Sequence, residues 1–204
     1  MKRLALLAVG LSFAGVFFRS PAARADLPLA VEVGGRLGYA TNPNSDVPNP
    51  LGAGFGARGG VELFKSLYLG GNIMYYLGSS RDTPLGATES TTSVSTHTLL
   101  LGLEAGYSLH LKPIIIRPQL GFGDASLTSF TNFNGTVNNP GTSVDNFTVT
   151  NQRFYLEPGI VGLVNLGPFY FGADVNLLFI PDAEPSTGDA YSSFAFGAQL
   201  GIRL

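Results

Sequence analysis

The 204 residues carry only 12 basic and 14 acidic side chains, while 45% are hydrophobic and 27 are glycine; cysteine and tryptophan are absent. Without cysteine there is no disulfide framework and no thiolate metal site. Acids outnumber bases, which argues against the basic footprint that a nucleic-acid binder needs.

The chain opens with Lys2 and Arg3, then a 15-residue apolar run from Leu4 to Phe18, then the small-x-small triplet Ala23-Arg24-Ala25 before Asp26. This is the pattern of a secretory signal peptide spanning residues 1–25, removed on export. The run is short for the roughly 20 residues of a spanning helix, and no cysteine follows it to take a lipid anchor. Residues 26–204 then form one domain, with 8 basic and 14 acidic residues. No apolar run of helical-span length remains there. If that domain crosses a membrane it must do so as a closed barrel, because only helices and closed barrels satisfy their backbone polar groups in lipid.

Period-two alternation, the signature of strands, recurs eight times. The first strand, Leu29–Tyr39, sets Leu29, Val31, Val33, Leu37 and Tyr39 against Glu32 and Arg36. Gly54–Phe64 sets Phe55, Ala57, Val61 and Leu63 against Arg58 and Glu62. Leu67–Gly78 sets Leu67, Leu69, Ile73, Tyr75 and Leu77 against Tyr68, Asn72 and Tyr76. His97–Leu109 sets Leu99, Leu101, Leu103, Tyr107 and Leu109 against Thr98, Gly102, Glu104 and Ser108. Ile114–Gly123 carries Arg117 and Gln119 on its polar face. Val149–Val164 carries Arg153, Tyr155 and Glu157. Phe169–Ile180 carries Asp174 and Asn176. Pro118 and Pro158 each remove a ladder donor, so a bulge or a weak pairing is expected beside them. The eighth strand begins near Tyr191 and closes on Phe194, Phe196, Ala198, Leu200, Ile202 and Leu204, all on one apolar face, with Gln199 and Arg203 on the other.

Connections alternate. Lys65-Ser66, 110–113 and 165–168 are tight; 40–53, 79–96, 124–148 and 181–190 are long and rich in Asn, Asp, Ser, Thr, Gly and Pro. Short-long alternation with an even strand number is the wiring of membrane barrels. A soluble barrel would bury the apolar face and show its charges to water. Here the charges share a face with glycines, so the apolar face is expected outside, against lipid. The lumen side then holds Glu32, Glu62, Glu104, Glu157 and Asp174 with Arg36, Arg58, Arg117, Arg153 and Arg203, five acids against five arginines. These should pair, since an unpaired buried charge costs several kcal/mol. The long connections hold Asp46, Asp82, Glu89, Asp124, Asp145, Asp182, Glu184 and Asp189 against Arg81 alone, read as solubility of exposed loops. Outward rings gather near strand ends, Tyr39, Phe55, Tyr75, Phe122, Phe154, Phe179 and Phe194 on the long-loop side, Tyr107 and Phe169 on the turn side, as interfacial girdles do.

Chemistry is sparse. Gly54-Phe-Gly56-Ala-Arg-Gly59 has the spacing of a nucleotide loop but lies inside a strand, without the helix that motif needs. His97 and His110 are far apart in the sequence and make no zinc site. His97 is read as a rim residue rather than part of a Ser-His-acid set, and no cofactor is expected. The Asn134 and Asn146 sequons are read as chance.

Taken together, the leader, the eight alternating strands, the wiring parity and the aromatic closing strand resemble the small eight-stranded outer-membrane β-barrels of the OmpA/OmpX-like type, over residues 27–204. The resemblance implies an all-β, antiparallel up-and-down transmembrane barrel with short periplasmic turns, extracellular loops and a polar plug. It also implies a monomer in the bacterial outer membrane, in contact with membrane lipid and lipopolysaccharide. Phe194, Phe196, Leu200, Ile202 and Leu204 would be read by the barrel-insertion machinery, although that family's signal usually ends on Phe and this chain ends on Leu204. A non-enzymatic envelope-integrity or loop-mediated interaction platform is the implied role, with a small pore or solute carrier as the alternative.

Overall fold

A computed structural model describes residues 29–42, 49–84, 91–134, 146–181 and 190–204. The expected leader lies outside these residues, as do Asp46, Glu89, Asp145, Asp182, Glu184 and Asp189. Ten strands are present: β1 (Ala30–Ala40), β2 (Gly52–Leu63), β3 (Leu67–Tyr76), β4 (Ser80–Pro84), β5 (Thr91–Tyr107), β6 (Leu109–Leu111), β7 (Ile114–Asn134), β8 (Phe147–Leu166), β9 (Phe169–Ile180) and β10 (Tyr191–Arg203). They make eight staves, because β3 with β4 and β5 with β6 are each one interrupted strand. Each stave pairs antiparallel with its neighbours, and β5–β7 and β1–β10 pairing close the ring. Among the described residues no helix is long and apolar enough to cross a membrane.

The alternation read from the sequence is the alternation of the wall. Leu37, Leu103 and Leu200 stand 67%, 59% and 66% exposed on the outside, while Glu32, Arg36, Arg58 and Glu104 are buried inside. Following paired residues from Leu37 through Ala198, Ala173, Gly162 and Ile116 leads to Leu109, from the upper half of β1 to the short-turn end of the opposite wall. The strands are therefore staggered and tilted, as barrel closure demands.

Two of the expected long connections are corrected. Much of 79–96 and 124–148 is strand: β4 pairs with β5 from Ser80↔Ser95 to Pro84↔Thr91, and β7 continues to Asn134. Ser- and Thr-rich segments carry no apolar alternation, yet β-branched Thr and Val still favour extended backbone. Hence Asp82 lies in β4 and Asp124 in β7, neither in a loop. Upper β8 continues to Phe147 along β7, whereas its pairing with β9 ends at Leu156↔Phe179. So β4, β5, β7 and β8 project beyond the other staves as a partial wall.

The prolines interrupt ladders without moving the register. Pairing of β5 with β7 stops at Gly106↔Gln119 and resumes at Leu109↔Ile116 in the same register, leaving Tyr107 and Ser108 opposite Pro118 and Arg117. Pairing of β8 with β9 skips from Leu156↔Phe179 to Gly159↔Asn176 around Pro158. Each proline keeps its pairing on the other side, to Ile160 and Leu120 respectively. The bulge lies elsewhere, between β3 and β4. Tyr76 faces Thr98 but Ser80 faces Ser95, which leaves one extra residue on the β3–β4 side. Gly78 occupies it at φ 65°, and a Cβ there would collide with the Thr96 carbonyl.

Candidate functional site

Among the described residues, charge and burial coincide in the lumen. Toward the short-turn end, Arg117 reaches across the barrel from β7 to β1 and donates through Nη1 and Nη2 to the two Glu32 oxygens at 2.8 and 2.7 Å. Its Nε donates to Ser108 Oγ at 2.9 Å, and its guanidinium lies 3.9 Å from the centre of the Tyr68 ring. Ser108 lies on the inward phase of its stave, the same face as Thr98 and Glu104. Arg203 joins the same cluster through a 2.8 Å bond to Glu62 and a 3.1 Å ion pair with Glu32. His110, from β6, stands at the mouth 3.2 Å from both Glu62 and Arg203.

At mid-barrel, Arg58 Nη2 donates to Glu104 Oε2 at 2.6 Å and to Gln119 Oε1 at 2.7 Å. Glu104 also accepts from Asn72 at 2.8 Å, whose own oxygen accepts the Tyr155 hydroxyl at 2.9 Å. Beside it Arg36 binds Asp174 through two nitrogens and Glu157 at 3.2 Å, and Asn176 donates to Asp174 at 2.6 Å. A guanidinium fork suits these multiple acceptors better than an ammonium would.

Nine of the ten charges assigned to the lumen therefore sit in three buried clusters. Arg153 does not. It is on the inward phase of β8 but above the clusters, half-buried, with Nη1 3.4 Å from the Gln152 carbonyl. The stagger lifts that part of β8 into the projecting wall, so five against five becomes five acids against four arginines.

The lumen is also less polar than its charges suggest. Toward the long loops Met74, Tyr76, Leu100, Leu178 and Ile180 form a fully buried apolar cap together with Leu51 from the β1–β2 connection. Main-chain bonds from Gly78 N to Leu51 O and from Ser79 N to Asn49 O hold that connection in the mouth, and Thr98 Oγ1 donates to Pro50 O at 2.7 Å. A second apolar group, Ile115, Val161, Leu163 and Tyr170, lines the β7–β9 wall at the turn end. Sequence reasoning missed both, although Met74, Leu100 and Leu178 lie on the inward phase in plain sight.

On the outside, Phe194, Phe196, Leu200, Ile202 and Leu204 are all exposed on β10 and just past its end. Phe55, Tyr75, His97 and Phe130 form a ladder of rings across four staves, with centroids 5.7, 5.5 and 5.3 Å apart in turn. His97 is thus one ring in an outward aromatic row. Among the described residues no group of three or more His, Asp or Glu is placed to hold a metal ion.

A closed eight-stave antiparallel barrel with an apolar exterior and a filled, charge-bearing interior is the fold of the small outer-membrane β-barrels. No family model matches this chain, and no curated protein does. Solved structures do. A major outer membrane protein of Thermus thermophilus aligns over 86% of this chain and 99% of its own, at 12% identity and a TM-score of 0.56. The N-terminal β-barrel domain of Pseudomonas aeruginosa OprF aligns over 86% and 97%, at 13% identity and 0.45. Ail, the attachment invasion locus protein of Yersinia pestis, aligns over 86% and 97%, at 11% identity and 0.46. At such identities the likeness is one of fold.

Proposed function

We propose that this chain is a non-enzymatic protein of the bacterial outer membrane, exported by a leader cleaved after residue 25, whose sealed barrel serves as a rigid platform. The barrel holds the projecting β4–β5–β7–β8 wall and the long connections on the outer side and inserts as a monomer through its apolar closing strand. The observation that carries this reading is the double seal of the lumen: an apolar cap over three interlocked charge clusters, with Arg117, Tyr68, Tyr76, Tyr155 and Tyr170 at no more than 1% exposure. A solute would have to break ion pairs and displace fully buried rings.

Planar-bilayer recording of the refolded chain tests it. The expected trace is a quiet baseline at all voltages that the bilayer tolerates. Stable unitary conductance would overturn the platform in favour of the pore or carrier. Sequencing the amino terminus of the exported protein, expected to read Asp-Leu-Pro-Leu, tests the leader.

A further inference from the structure

The short-turn rim has a notch, and the register makes it. β3 begins at Leu67, paired with Tyr107, but the neighbouring stave runs on through β6. Ser108 N donates to Ser66 O at 2.6 Å across the gap. Beyond that bond, β6 is laddered to β7 alone. The space beside it is a cavity of about 610 Å³. Tyr107 and Leu109, both exposed on the lipid-facing side, form its outer lip. Lys65 enters from the β2–β3 turn, Lys112 from the β6–β7 turn, and His110 and Arg203 from the barrel mouth.

The charges of the notch are unbalanced. Its acid, Glu62, is already occupied by Arg203 and Arg117. Neither Lys65 nor Lys112 is in an ion pair among the described residues. Arg203 Nη1 approaches Glu32 to 3.1 Å yet makes no hydrogen bond. The result is an apolar lip continuous with the lipid-facing wall and, behind it, two lysines outside any ion pair among the described residues.

We propose that the notch holds the phosphate of an anionic phospholipid from the leaflet at the short-turn end of the barrel, an assignment that rests on the membrane-barrel reading above. The acyl chains lie along Leu109 and the Tyr107 ring, an interfacial anchor of the usual kind. The phosphate sits between the two ammonium groups, which act as point charges toward it, with Arg203 behind. A free anion would use the same cations but not the apolar lip, and this separates the two sources.

The test uses the chain refolded into nanodiscs of phosphatidylcholine containing a minor fraction of phosphatidylglycerol, with retained lipids counted by native mass spectrometry. Insertion is checked first by the heat-dependent gel shift. The expected result is selective retention of phosphatidylglycerol. It should fall about tenfold or more in the Lys65→Ser/Lys112→Ser double variant, given the attraction of each juxtamembrane base to an anionic surface. It should persist in Lys65→Arg/Lys112→Arg and in Arg81→Ser, which removes a base at the opposite end. Millimolar inorganic phosphate should leave the retained lipid in place. A chain that fails to insert overturns the membrane reading and this inference with it. Insertion without lipid preference, or with a preference that the double serine variant keeps, overturns the inference alone. Displacement by inorganic phosphate reassigns the notch to a free anion.

Discussion

Removing the Arg58 guanidinium is the sharpest test of the buried clusters. In Arg58→Met the unbranched apolar stem is kept, but Glu104 loses the 2.6 Å bond and retains only the 2.8 Å donor from Asn72, while Gln119 loses a 2.7 Å partner. Both ionic side chains are at most 3% exposed, so water does not screen the loss. Stranding a buried charge costs about 3–5 kcal/mol. Glu104→Gln strands Arg58 in turn, and its cost is similar. The double variant leaves neither charge behind, so it should be less destabilised than the sum of the two, with a coupling of about 2 kcal/mol or more, near the upper end of coupling energies for groups in one network. Urea titration of protein refolded in lipid vesicles, read by the mobility shift between folded and unfolded bands, gives all four corners of the cycle. Additivity within about 0.5 kcal/mol would refute the reading, because distant independent sites add to that precision and a coupled pair does not.

Other perturbations reach the remaining features. Gly197→Ala puts a Cβ 2.5 Å from Asp174 Oδ2 and 2.9 Å from Arg36 Nε, and should cost about 1–3 kcal/mol as an overpacked site. Gly35→Ala meets nothing nearer than 4.0 Å and should be neutral in the same titration, so equal losses would contradict the assigned faces. Leu200→Lys places a charge on the lipid side of the closing strand and should cost about 2–4 kcal/mol, against about 0–1 for Leu204→Lys at the rim; a reversed order in vesicle unfolding would mislocate the belt. Leu100→Ala empties part of the apolar cap and should cost about 2–5 kcal/mol while the bilayer trace stays silent, since the charged layers beneath remain. Channel activity in that variant would show the cap to be the sole seal.

The outward face was legible because lipid imposes one rule along the whole wall. Every outward residue of Phe169–Ile180 is apolar, and the bounds of the stretch are those of β9. Above the belt the rule lapses. Thr92, Val94 and Thr96 read as loop because nothing apolar marks the other side, yet they lie within β5. Lumen residues were legible by phase but their partners were not. Arg36 and Asp174 are separated by 138 residues, and closure of β1 on β10, together with the stagger of the strands, brings them together. The same stagger removes Arg153 from the layer its phase suggested. The apolar cap was hidden by a presumption that the inside must be small or polar, although a plug needs only to be packed.

The seam has a consequence in time. β1 pairs with β10 over nine residues, and Val31 and Leu204 exchange main-chain bonds of 2.8 and 2.9 Å. Every other wall joins staves that are neighbours in the sequence; this one joins segments separated by most of the chain. Loop closure must be paid before such a contact returns anything, which makes it slow. Until it forms, β1 and β10 are both raw sheet edges with apolar faces, the state most open to aggregation. Stopped short of that closure, the barrel would leave both edges unpaired and its charged lumen open to water.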